Sequence, residues 1–313
     1  MFEAIRELIE QYPRIIIHRH KSPDGDAMGA QQGLRMILKD NYPHKEILIV
    51  GDMTPRYEFM AISPMDEIAD VAYEGALAIL LDSAVGTLIS DDRYKLATAS
   101  ARIDHHIFCE KFTDEEVVDT SFESCCGMIA AMAMECEWEV SGDAAKSLYT
   151  GMITDSGRFR YDSTSAQTFR LASFLAERRF STADIYQNLY SDSLNSIQLR
   201  AKFTMKIQTT PQGVAYIYTP LDEARSYGAD YFTLSRGMVN VMSEIRGIHS
   251  WVNFTETEDG VLCEIRSNLY NINPIATKYG GGGHQKASGA TLKDKNEAMS
   301  LLNDMNALTE TNI

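Results

Sequence analysis

Four short apolar runs in the first third of the chain each end in an acid or an imidazole. "RIIIH" closes on His18, "KEILIVGD" closes on Asp52, "ALAILLDSA" passes directly into Asp82, and "TASARIDHHIF" carries Asp104, His105 and His106. Short aliphatic runs bounded by polar residues read as buried strands. A helix is expected between the first two, from Ala27 to Lys39, and helical segments between most of the others. Strands alternating with helices imply an α/β domain with a largely parallel sheet and flanking helices. In such sheets ligands bind beyond the carboxyl ends of the strands. Each polar cluster falls at such an end, so one fold can gather them all at one rim.

A chain of 313 residues has room for two domains. Its 44% hydrophobic content and eight prolines describe a globular protein. No stretch approaches a membrane span. The opening "MFEAIRELIEQYPR" reads as an amphipathic helix rather than a signal peptide, because acids interrupt it and no apolar core follows; the expected location is the cytoplasm. Five cysteines, two of them adjacent and none in a CxxC, fit neither a disulfide framework nor a thiolate zinc site, and are expected to be small core or surface thiols. The net charge of −15 repels long nucleic acid, whose affinity comes from neutralising many phosphates. Small anionic ligands stay open to the chain where metal ions or a local basic cluster overcome that field. Acid is concentrated between Asp104 and Asp143, whereas arginine and lysine recur after Arg158, which hints at an anion grip in the C-terminal half; a solvated charged surface is the plainer explanation.

"FESCCGMIAAMAMECEW", the stretch from Ser141 or Asp143 to about Asp155, "SAQTFRLASFLAERR" and "STADIYQNLY" read as helices. A polar helical stretch from Ser193 to Lys206 is expected to connect two domains, placing them at 1–188 and 206–313 with the connector at 189–205. Beyond it, "GVAYIYTP" reads as a strand and "WVNFTETEDGVLCEIRS" as a hairpin turning at Asp259-Gly260; "NPIATKYGGGGHQKASGA" reads as a helix followed by a glycine run.

The first cluster, "HKSPDGD", spaces His20, Asp24 and Asp26 as H-x3-D-x-D. In a loop after a strand, residues two apart can turn to one centre, and Pro23 stiffens the approach. A solvated polar loop has the same composition, so this piece alone decides little. Asp82 says more, since a carboxylate directly after an apolar run is costly to half-bury unless a cation or donor pairs with it; capping the next segment is its ordinary alternative. Asp155 ends a helix, where an acid meets the negative end of the dipole. His20, Asp24, Asp26, Asp82, His105 and Asp155 together make an inventory for two metal ions. One ion does not need four aspartates; two do, with one carboxylate bridging, and Asp82 is the candidate bridge. Mixed imidazole and carboxylate donors suit Mn²⁺, Fe²⁺, Co²⁺ or Zn²⁺ better than Mg²⁺. Near the C-terminus, the glycines of "GGGGHQKASG" let backbone approach an anion, with His284 and Lys286 adding donors. Arg266 in "EIRSN" offers a planar fork for phosphate. A flexible linker is the alternative for the glycines. Arg158 and Arg160 in "TDSGRFRY" are further candidate contacts to substrate, with surface salt bridges the plainer explanation.

Five motifs, "HKSPDGD", "LLDSA", "IDHH", "TDSG" and "GGGGHQKASG", occur in the order found in the DHH phosphoesterase superfamily, and the sequence resembles that superfamily over nearly its whole length. The last motif is similar to the signature of its accessory DHHA1 domain. Among subfamilies the chain most resembles the NrnA type, nucleases of short oligonucleotides that also act as pAp phosphatases. The resemblance implies a smaller α/β DHHA1 domain across a cleft from the DHH domain, and two divalent ions, Mn²⁺ first, on the six residues just named. It implies that His105 is a ligand and His106 a contact to phosphate. It also implies that Arg266, Ser267, Gly281, Gly282, Gly283 and His284 hold substrate. His18 is expected to be structural or to support the ligands. Expected substrates are nanoRNA, linear dinucleotides such as pApA, and pAp, turned over by a homodimer. A cyclic-dinucleotide phosphodiesterase and a non-catalytic nucleotide-binding member are the alternatives. Family II pyrophosphatases share the first motifs but not the last, and RecJ-type exonucleases carry further domains.

Overall fold

The structure is a computed structural model that describes residues 1–308. The chain forms two compact units, Met1–Ser191 and Asp192–Ile313.

The first unit is built on a parallel sheet of five strands, β1 (Arg14–Arg19), β2 (Glu46–Ile49), β3 (Ala76–Leu81), β4 (Ala99–Asp104) and β5 (Glu115–Val118), in the order β2-β1-β3-β4-β5. Strand alternation divides its side chains between two faces. Ile15, Ile17, Ile47, Ile49, Leu77, Ile79, Ala101 and Ile103 face the main core. That core is covered by α1 (Glu3–Gln11), α2 (Gly25–Asn41), α3 (Cys125–Glu135), α4 (Gly142–Asp155) and α5 (Ala166–Ala176), and α6 (Thr182–Tyr190) closes the unit. The opposite face, with Ile16, Ala78 and Leu80, packs under Tyr73, Ile89 and Tyr94, which stand in or beside short 3₁₀ turns. These turns are where sequence reading expected helices: β2 to β3 and β3 to β4 are joined by 3₁₀ turns, and only β1 to β2 crosses by a long helix. β5 was not anticipated, because "EEVV" is half acid and its burial is only partial.

In the second unit, the helix read as a connector, α7 (Leu194–Met205), packs onto the unit through the fully buried Phe203. A six-stranded mixed sheet follows, made of β6 (Gln208–Thr209), β7 (Val214–Thr219), β8 (Ser250–Thr257), β9 (Gly260–Ser267), β10 (Gly282–His284) and β11 (Ala287–Leu292), ordered β10-β11-β9-β8-β7-β6. α8 (Leu221–Ser226) lies between β7 and β8; α9 (Asn273–Lys278) and α10 (Lys295–Asn306) pair with one face of the sheet, and Phe203, Trp251 and Met242 fill the other. The hairpin β8–β9 forms as its sequence predicts, but its two-residue turn is Glu258-Asp259, one residue earlier than expected, because Gly260, at φ +138°, pairs with Thr257 as the first residue of β9. The cysteines are all free, three of them buried.

Candidate metal centre and its family

The chain leaves β1 toward β2 on one side and returns to β3 on the other, so the carboxyl ends of β1 and β3 flank the switch point of the sheet. The expected ligands gather there. His20 follows β1, Asp24 caps α2 by accepting from the backbone N–H groups of Asp26 and Ala27, and Asp26 lies in the first turn of that helix. Asp26 is 1% exposed, and its two carboxylate oxygens accept from the N–H groups of Cys125 (2.7 Å) and Cys126 (2.9 Å) at the start of α3. A helix N-terminus favours an anion there. His105 follows β4, and Asp155 is the last residue of α4.

Asp82 stands at the centre. Its backbone is left-handed, with φ at 55°, a conformation that costs an L-residue about 1 kcal/mol. The N–H of Asp82 donates to the carbonyl of Ile103. One carboxylate oxygen, Oδ2, lies 3.5 Å from Nε2 of His20; the other, Oδ1, lies 3.5 Å from Nε2 of His105 and 3.6 Å from Nδ1 of His106. Nε2 of His105 is also 3.8 Å from Asp26 and 3.4 Å from Asp155, and His20 is 3.8 Å from Asp24. These separations exceed a hydrogen bond. Donors bound about 2.1 Å from one shared ion stand about 3.0–3.4 Å apart, close to what is seen. Oδ1 of Asp82 is buried and accepts no hydrogen bond, which fits an atom meant for a cation. Three groupings have donor atoms close enough to share an ion: His20 with Asp24 and Asp82, Asp26 with His105 and Asp155, and Asp82 with His105 and His106.

The protonation pattern has the same origin. Burial opposes charge on His20 and His105, but the surrounding aspartates outweigh it and raise both to about 10. Burial and then neighbouring acids push Asp26 well up, and burial raises Asp155 to about 6. Without cations the cluster balances its carboxylates with protons; ligation requires those protons to leave.

His106 differs from His105. Its Nδ1 is 2.7 Å from Oδ1 of the fully buried Asp104, which also accepts from the His106 N–H, and this hydrogen bond raises the His106 pKa. Asp104 was read from sequence only as part of a motif; its orienting role depends on the turn after β4. Asp52, the other acid at a strand end, stands outside the cluster. It accepts from the N–H of Ser22, the Ser90 hydroxyl and the buried guanidinium of Arg19. His18 is fully buried between Tyr73 and Tyr94 on the face of the sheet that carries the 3₁₀ turns.

The expected substrate residues lie in the second unit. Arg266 on β9 pairs with Glu264 at 3.0 Å. The Ser267 hydroxyl donates to the carbonyl of His249 and accepts from Ser250 and from the N–H groups of Leu269 and Tyr270, so it is saturated within the protein and holds the turn after β9. The glycine run is not an open anion nest. Gly282–His284 form the edge strand β10, paired antiparallel to β11. A Cβ at Gly281 would strike the carbonyl of Gly289, and one at Gly283, whose φ is +135°, would strike that of Ala287; the glycines permit close strand pairing. His284 is exposed on this edge. Arg158 has a left-handed φ of 66° and lies over the Tyr190 ring at 4.7 Å, and Arg160 donates to the carbonyl of Gly157.

A parallel sheet with acids and imidazoles gathered at one rim suits a metal-dependent enzyme of the α/β class. The chain belongs to the DHH family: residues 14–152 match the DHH family, N-terminal domain, and residues 232–311 match the DHHA1 domain. The chain is similar to the bifunctional oligoribonuclease and PAP phosphatase NrnA of Bacillus subtilis (strain 168), at 35% identity over 98% of this chain and 97% of that one. The protein of the same name from Mycoplasma pneumoniae is 34% identical, over 95% of this chain and 93% of that one. An exopolyphosphatase-related protein from Bacteroides fragilis shares the fold, with a TM-score of 0.84 over 98% of this chain and 95% of that one at 22% identity. No helix among the described residues is long and apolar enough to cross a membrane.

Proposed function

We propose that the protein hydrolyses the bond between phosphorus and a 3′ oxygen in short substrates. It releases 5′-mononucleotides from oligoribonucleotides and from linear dinucleotides such as pApA, and removes the 3′-phosphate of pAp. The observation that carries this reading is the division of the Asp82 carboxylate, with one oxygen toward His20 and the other toward His105. A single anion placed in this way suits a pair of cations acting on one phosphoryl group. His20, Asp24 and Asp82 hold one ion; Asp26, Asp82, His105 and Asp155 hold the other, with Mn²⁺ the preferred metal. Bound divalent ions supply Lewis acidity toward a phosphoryl oxygen and acidify water. His106, oriented by Asp104, keeps Nε2 for a phosphoryl oxygen and donates a proton there.

Arg266 and the glycine edge with His284 bind the rest of the substrate, and Ser267 supports Arg266 by fixing the turn after β9. The names of the Bacillus and Mycoplasma relatives support both activities. We further propose that it works as a homodimer in the cytoplasm. The test is phosphate release from pAp and loss of a labelled dinucleotide, each with Mn²⁺ and with a chelator. Turnover of both with Mn²⁺ and of neither with chelator is expected. No turnover of either, alongside tight nucleotide binding, would mark a binding protein.

A further inference from the structure

We propose that Arg102 is a positioning residue that holds the bridging carboxylate of Asp82 in place for its cations; the proposal rests on the two-ion reading above. Arg102 is in the middle of β4 and has no exposed surface. Its Nη2 lies 3.0 Å from Oε2 of Glu116 on β5, and its Nη1 donates to the carbonyls of Ala84 (3.1 Å) and Ser83 (3.4 Å). The guanidinium carbon lies 4.6 Å from the centre of the Phe112 ring and 5.6 Å from that of Phe108. The other Glu116 oxygen accepts from the N–H groups of Phe112 and Thr113 and from the Thr113 hydroxyl. One ion pair therefore ties together two loops: the one that begins at Asp82 and the one that carries His105 and His106.

Folding alone gives little reason for this arrangement. A buried ion pair is expensive to desolvate, and well-packed apolar replacements often leave a protein as stable or more so. The local backbone gives a reason. A left-handed residue other than glycine persists only where its surroundings impose it. The Asp82 N–H is tied to Ile103, and the next two carbonyls are tied to Arg102. Without the guanidinium fork, Ser83 and Ala84 are free to turn, Asp82 relaxes to negative φ, and its carboxylate leaves the midpoint between His20 and His105. Because Asp82 serves both ions, both sites weaken.

The test uses the full chain and Mn²⁺ alone. Arg102→Met combined with Glu116→Gln removes the ion pair without stranding a buried charge and keeps an amide oxygen for the N–H groups of Phe112 and Thr113. Calorimetric titration is expected to show Mn²⁺ affinity lowered about tenfold or more at both sites, while the metal-free melting temperature stays equal or rises. Arg102→Lys, which keeps the charge but loses the fork, should lower the affinity by a similar factor. Wild-type Mn²⁺ affinity in the double variant overturns the proposal. If the double variant does not fold, Arg102→Lys decides in the same way. Wild-type protein that binds no pair of Mn²⁺ ions overturns the two-ion reading itself, a result separable from normal binding in the variants.

Discussion

Asp82 is where the demands of folding and of chemistry conflict most. Its backbone is strained, its side chain is 2% exposed, and one of its oxygens has no donor. Asp82→Ala should leave the backbone strain in place and abolish turnover of every substrate, by about 10³-fold or more in kcat. Activity near wild type at saturating Mn²⁺ would contradict its bridging role. Arg266 makes a milder case. If it grips the substrate equally in ground and transition states, Arg266→Ala raises KM about tenfold for pAp and pApA with kcat little changed; an unchanged KM for both would remove it from the site. The residues proposed as ligands were conspicuous in sequence because acids and imidazoles cluster just beyond apolar runs. Asp104 carried the same signal, but its bond to His106, like the pairing of Arg102 with Glu116, depends on loops that only the fold brings near.

At the scale of elements, alternation along β1 sends Ile15 and Ile17 to the helical core and leaves His18 on the opposite face, against Tyr73 and Tyr94. Burial lowers the His18 pKa to about 4. Its folded pKa thus lies below the unfolded value near 6.5. The unfolded chain takes up the proton first, so the neutral ring's contribution to stability is complete above pH 6.5 and is lost as pH falls toward 4. His18→Phe should flatten that part of the stability profile, read as a urea midpoint at pH 5 approaching that at pH 7. A midpoint difference as large as in wild type would show that other groups carry it. The glycine run teaches a related lesson. The sequence of four glycines offered a nest or a linker, and the fold made it a strand edge, where β11 carbonyls leave no room for a Cβ at Gly281 or Gly283.

For the whole molecule, a net charge of −15 opposes polyanions. The ratio kcat/KM should therefore fall steadily from dinucleotides to RNA of about twenty nucleotides, with partial recovery at higher salt as the repulsion is screened, measured with Mn²⁺ saturating. A long substrate cleaved as well as a dinucleotide would contradict this. Strands β1 to β4, the crossover helix, the β8–β9 hairpin and the residue types at the rim were determined by sequence alone, because periodicity and residue chemistry act over a few neighbours. The order β2-β1-β3-β4-β5, the approach of Asp155 on α4 to His105, the N–H groups of α3 holding Asp26, and the ion pair beneath Asp82 were decided by tertiary structure. Each joins residues far apart in the chain, and such contacts exist only once the sheet and its helices have packed.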